Sequence, residues 1–133
     1  MLTENDVIDF LVKYLKKREY EIISICNTGQ RGNDIVAKKE DRFLIVEAKG
    51  QTSSDPNSKR YGIEFDTAQK KIHVAEAILK TMEIQDKYPN GTVAIALPDD
   101  NRHRNIIRDI KPSLKKLDII IFFIDKKGNV AKL

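Results

Sequence analysis

The sequence predicts an α/β domain in which helices pack on the faces of a central mixed sheet of about five strands. Three observations carry this expectation. Apolar residues recur at helical spacing in three separate segments. Around those segments the period changes to short runs rich in β-branched and aromatic residues. The resulting order, α-β-β-β-α-β-α-β, sets an antiparallel hairpin region before two crossover units, which requires strands of both directions. At 133 residues the chain fits one domain, 1–133, with no internal repeat, heptad run or second boundary.

Residues 3–17 read as the first helix. Thr3 is suited to cap it, and Glu4 and Asp6 stand in the first turn, where the helix dipole favours carboxylates. Val7, Ile8, Leu11, Tyr14 and Leu15 make one buried face, and Lys16, Lys17 and Arg18 crowd the C-terminal end. Residues 20–26 form a first strand, closed by Asn27-Thr28-Gly29; Ile23 and Ile25 beside Cys26 predict that it is buried. Strands at 34–38 and 43–49 follow, separated by Lys39-Glu40-Asp41-Arg42 as in a hairpin. Residues 50–62 are polar and mobile in composition, a length of loop that in a compact domain is functional or disordered. A long helix at about 66–85 is expected to bury Ala68, Ile72, Ala75, Leu79 and Met82. Beyond the turn Pro89-Asn90-Gly91, the nearly continuous apolar strand 92–97 reads as covered on both faces. A third helix near 101–116 carries Ile106, Ile107, Ile110 and Leu114, with Pro112 expected to kink it or end it early. Residues 118–125 make the last strand.

Composition excludes several classes. With 41% apolar residues the chain is an ordinary globular protein rather than a disordered one. Its longest apolar run, Ile119 to Ile124, is too short to span a bilayer, and the acidic start lacks the pattern of a secretory signal. A lone Cys26 forms no internal disulfide, so the cytoplasm is the expected location. Lys and Arg outnumber Asp and Glu by 24 to 20, giving a net charge of +4. Basic residues gather at Lys59-Arg60, followed by Tyr61, and at Arg102, Arg104 and Arg108 in or beside segments that read as loops. These clusters are candidate phosphate contacts, with Tyr61 stacking on a base or simply packing; a solvated face is the plain alternative.

The hairpin concentrates chemistry. If the reversal is symmetric about Glu40-Asp41, cross-strand partners have numbers summing to 81, and Asp34 lies opposite Glu47. Paired side chains face the same way about 5 Å apart, and Lys49 points to that same face. Ile35, Ala37, Leu44, Val46 and Ala48 then face the core. Two anions so close repel, and a divalent cation between them reverses that cost. Carboxylate oxygens suit Mg²⁺, with the Ala48 carbonyl as a further oxygen. The plain alternative is that Asp34 and Glu47 are surface acids paired with Lys49 and Arg42, as in the charge ladders of exposed sheet faces; a three- or five-residue loop would also shift the register by one and separate the acids.

The stretches Arg31-Gly32-Asn33-Asp34-Ile35-Val36-Ala37 and Phe43-Leu44-Ile45-Val46-Glu47-Ala48-Lys49-Gly50 resemble the PD-(D/E)XK nuclease superfamily. The likeness is to its Mrr-type restriction endonucleases and archaeal Holliday-junction resolvases in particular. Asn33 stands where that family often has Pro. The resemblance implies a restriction-endonuclease-like fold and a Mg²⁺-dependent deoxyribonuclease, with Mn²⁺ able to substitute. Asp34 and Glu47 would be metal ligands, and Lys49 would orient the attacking water and stabilise the transition state. An acid on the first helix often joins them in the family. Glu4 shares the inward face of Ile8 and Leu11 and is the candidate, although the family's acid lies nearer the place of Ile8. The family's helix Gln corresponds to Gln69, which would hold the water or a phosphate. His73, four residues on, reads as a packed helix residue, and His103 as a phosphate contact or nothing. No second His or Cys stands at zinc-ligand spacing.

These readings imply a DNA endonuclease of restriction, repair or recombination, with DNA as partner and a homodimer as the expected assembly, since two-strand cutting needs two active sites. No membrane partner is expected. The rivals are a catalytically silent nucleic-acid-binding module of a larger assembly, and an interaction protein with incidental motif similarity.

Overall fold

A computed structural model of the chain describes residues 1–27 and 30–133. Its elements are α1 (Glu4–Lys17), β1 (Glu21–Ile25), β2 (Ile35–Lys39), β3 (Arg42–Ala48), α2 (Thr67–Lys87), β4 (Thr92–Pro98), α3 (Asn101–Lys116), β5 (Ile119–Ile124) and β6 (Val130–Lys132). The strands form one six-stranded sheet in sequence order. The β1–β2, β2–β3 and β5–β6 pairs are antiparallel, and β3–β4–β5 are parallel. The expected mixed sheet flanked by helices is therefore present, with one strand more than expected.

That extra strand is short and follows a turn. Asp125 Oδ1 accepts the Lys127 and Asn129 N–H groups, and Gly128 takes a positive φ of 89° where a Cβ would meet the Phe10 ring at 2.7 Å. The turn closes the chain back onto β5, a reversal that three residues of strand are too few to announce by pattern.

The sheet separates two cores. On one face α1 covers Ile35, Ala37, Leu44, Val46 and Ala48 together with alternate residues of β4 and β5, as the hairpin pattern predicts. On the other, α2 and α3 cover Ile45, Val93, Ile95, Leu97, Ile121 and Phe123. β4 is buried along almost its whole length, in keeping with its continuous apolar run.

Several expectations are corrected. β1 is an edge strand, so Ile23 and Ile25 are exposed rather than buried. Of its expected closing turn, Thr28 and Gly29 lie outside the described residues. On α2 the buried face is Lys70, Val74, Ala77, Thr81 and Ile84, and the stripe Ala68, Ile72, Ala75, Leu79 and Met82 faces outward. The sequence carries two series with the same spacing, two residues apart. The more apolar one is outside because the buried Lys70 ammonium finds two carboxylate partners, Glu64 and Asp100, and the small Ala77 lets the helix lie close to the sheet. Helix α3 runs through Pro112 to Lys116, since that residue removes one hydrogen bond while Ile107 and Leu114 stay anchored in the core. The 50–62 segment is organised by its own turns: Thr52 bridges to Thr3, and its hydroxyl donates to the Arg60 carbonyl at 2.7 Å.

Candidate active site

The β2–β3 ladder pairs Ile35 with Val46 and Lys39 with Arg42, so partners sum to 81 and the turn is the two residues Glu40-Asp41. Glu40 adopts the positive φ, 57°, that so tight a turn demands. Asp34 stands one step beyond the last pair, where the register sets it across from Glu47. Its Oδ2 accepts the Ala48 N–H at 2.7 Å, which ties the carboxylate to the end of β3. A strand residue's N–H and C=O point to the same side, so the Ala48 carbonyl lies on Asp34's side of β3. On the opposite edge the Lys49 N–H is fixed by the Ala96 carbonyl of β4.

Glu4 arrives from the start of α1. A capping box between Thr3 and Asp6 fixes that start, and Gly50 sets its distance from the sheet. A Cβ on Gly50 would lie 2.4 Å from the Glu4 nitrogen, so only glycine lets β3 pass beneath the helix. Gln51 then binds the pieces together. Its N–H donates to the Leu2 carbonyl and its carbonyl accepts the Phe65 N–H, both at 2.7 Å. Its side chain accepts the Leu2 N–H at 2.9 Å and donates to Asp100 Oδ2 at 2.9 Å.

The outcome is a half-buried cluster of like charges. Burial first, and then the negative charge of Asp34, push the Glu4 and Glu47 carboxyls up to about 7, against the opposing pull of Lys49. Burial also raises Asp34, resisted by the Ala48 N–H and by Lys49 and Lys80. Glu4 and Asp34 are near enough to share a proton. Among the described residues, no group of three His, Cys, Asp or Glu side chains is set to hold a metal ion. Mg²⁺ takes one or two carboxylates and keeps several waters, so Asp34, Glu47 and the Ala48 carbonyl are the groups here that could hold it, and a cation between them would relieve the mutual repulsion of the acids.

The remaining candidates divide. Gln69 is drawn into the cap of α2: its Oε1 accepts the Asp66 N–H at 2.8 Å while its own N–H donates to Asp66, so only its amide nitrogen is left to offer a substrate. His73 packs edge-on against Phe65, with ring centres 4.6 Å apart, and feels the charge of Lys49. Lys59, Arg60 and Tyr61 are exposed on the 50–66 connection. Arg102 and Arg104 stand on α3 rather than in a loop. Arg102 is exposed, but Arg104 grips both Asp99 oxygens at 2.7 and 2.9 Å and lies over the Phe123 ring, a structural commitment. His103 is not a surface contact at all. It is fully buried in α3, with Nδ1 2.8 Å from Asp100 Oδ2. Burial disfavours a charged Asp100, yet His103 and Gln51 outweigh it and hold that carboxyl well below the usual range. Lys70, also fully buried, joins Asp100 at 3.2 Å and Glu64 at 2.7 Å.

Sequence reasoning missed Lys80, whose charge acts on both Asp34 and Glu47. It lies two helical turns beyond His73 on the same face, so extending that face along α2 would have found it. A cavity of about 910 Å³, lined by Arg42, Gln85, Lys111 and Leu117 among others, contains none of these acids. The acid cluster sits at the carboxyl end of β3, away from that hollow.

Two solved structures have this arrangement of elements. One is an XisH family protein from Nostoc punctiforme PCC 73102, 16% identical, with a TM-score of 0.59 over 94% of this chain and 95% of that one. What is shared is the fold. The other is a fdxN element excision controlling factor protein from Anabaena variabilis, also 16% identical, with a TM-score of 0.50 over 95% and 96% of the two chains. No protein-family model matches the sequence, and no curated protein matches it closely. Among the described residues no helix is long and apolar enough to cross a membrane.

Proposed function

We propose that this chain is a metal-dependent endonuclease of the PD-(D/E)XK type that hydrolyses DNA phosphodiester bonds. The observation that carries the reading is the hairpin register, which brings Asp34, Glu47 and Lys49 to one end of the sheet with Glu4 beside them. Asp34, Glu47 and the Ala48 carbonyl would hold Mg²⁺ or Mn²⁺, which when bound polarises the scissile phosphate and acidifies water. Lys49 orients the attacking water and stabilises charge building on the phosphate oxygens. The water oxygen bonds to phosphorus as the bond to the 3′ oxygen breaks, leaving a 5′-phosphate and a 3′-hydroxyl. Glu4, titrating at about 7, is suited to receive the water's proton, while the departing oxygen takes one from solvent.

The excision-controlling neighbour supports a setting in DNA rearrangement, since excision depends on strand cleavage. That neighbour is described as controlling excision rather than performing it, which favours a second reading, a nucleic-acid-binding module that does not cut. A cleavage screen over single-stranded, duplex, methylated and four-way-junction DNA with Mg²⁺ or Mn²⁺ separates the two. Cleavage that Asp34→Ala or Lys49→Ala abolishes, with melting unchanged, is the expected result. Undiminished cutting by both variants would falsify the site, and metal-independent binding without cutting would establish the module.

A further inference from the structure

One whole face of α2 is apolar where the domain leaves it uncovered. Ile72, Leu79 and Met82 are 57%, 61% and 42% exposed, and Ala68 and Ala75 beside them are exposed too. The five positions alternate by four and three residues. That is the 3.5-residue repeat of a two-helix seam, continued over four turns or ~21 Å, too short to stand out as a heptad run in sequence. The opposite face of the helix already closes the domain core, so the fold itself has no use for this stripe. Contiguous exposed apolar surface of this kind marks an interface.

The charges beside the stripe identify its occupant. Lys71 borders it on one side; Glu76 and Glu83 border it on the other. We propose that a second copy of this chain docks here, α2 alongside α2 in parallel about a two-fold axis, with Ile72 and Leu79 meeting their counterparts at the centre. Lys71 and Glu76 are five residues apart, the offset at which flanking residues of a parallel pair meet across the seam. Each Lys71 therefore faces a Glu76 of the other copy, twice over. An antiparallel pair would instead set Glu76 towards Glu76. A surface complementary to itself is what an isologous dimer requires. The stripe is smaller than the ~800 Å² per partner of a standard stable interface, so the dimer is weak and concentration-dependent.

Analytical ultracentrifugation without DNA or metal, from ~1 µM to ~1 mM, the span of weak association, tests this independently of any cleavage chemistry. The wild type is expected to dimerise, and Leu79→Glu to stay monomeric with unchanged melting, because the position is already exposed. Lys71→Glu weakens the dimer roughly 2- to 30-fold, as expected for two exposed ion pairs, and adding Glu76→Lys restores it. In a Cys26→Ser background, Ala68→Cys forms an intermolecular disulfide, since parallel helices juxtapose the two copies of that position. A wild type monomeric throughout, a dimer indifferent to Leu79→Glu, or an Ala68→Cys dimer that does not cross-link each overturns the proposal.

Discussion

Glu4 and Glu47 titrate near neutrality because burial and the Asp34 charge both oppose their ionisation. The folded chain therefore keeps protons up to about pH 7 that the unfolded chain releases near the ordinary glutamate value of 4.5. Where the folded state binds more protons, stability falls as pH rises. In EDTA the melting temperature is expected to decline between about pH 4.5 and 7 and to level off above. Glu47→Gln removes one repelling charge, so it should raise melting at pH 8 and change little at pH 4, and on the proposed function it should also weaken metal binding. Asp100 works in the opposite sense at lower pH, because its depressed carboxyl contributes stability that fades as the medium becomes strongly acidic. A melting profile that rises from pH 5 to 7 in EDTA would contradict the clustering of acids. At this scale the sequence was informative for Asp34, Glu47 and Lys49, whose positions follow from counting outward from a turn. Lys80 and the buried Lys70–Asp100–His103 group were not legible, because each depends on how α2 is rotated and on contacts between distant segments.

At the level of elements, the passage of β3 beneath α1 decides where Glu4 stands. Gly50→Ala would drive a methyl group into helix backbone, not into a side chain that can turn aside. Overpacking of this kind costs about 1–3 kcal/mol, and the shift it forces moves Glu4 away from Asp34. Calorimetry should show a lowered melting temperature, and cleavage should drop further than the lost stability explains. If the variant melts and cuts as the wild type does, α1 is not held in place by this contact. Element boundaries were readable wherever capping and period agreed. Thr3 and the apolar series behind it located α1, and the 40–41 turn fixed the hairpin. The orientation of α2 was not readable, because Ile72, Leu79 and Met82 outweigh Lys70 and Thr81 in hydrophobicity, and only tertiary pairing of Lys70 reverses that ranking. The edge position of β1 was hidden for a similar reason, since a run of isoleucines reads as interior until its neighbours are known.

For the whole molecule, the two apolar layers on either side of the sheet include none of the candidate site's acids. On the proposed nuclease function, chelation is therefore expected to stop cleavage while leaving the circular dichroism spectrum and cooperative unfolding in place. On the same proposal, binding to DNA should weaken steeply as salt is raised, because phosphate contacts through exposed residues such as Lys59, Arg60 and Arg102 would release condensed counterions. Binding insensitive to salt would mean that these residues touch no phosphate. The architecture itself followed from element order, which left only β6 unforeseen.

Gln51 is gripped at its amide, its carbonyl and both ends of its side chain by segments that are distant in sequence. Because these bonds converge on one residue, the beginning of the chain, the exit of β3 and the approach to α2 are expected to open together. Deuterium uptake at the amides of Leu2, Gln51 and Phe65 should accordingly follow a common opening rate, slower than that of the surrounding turns.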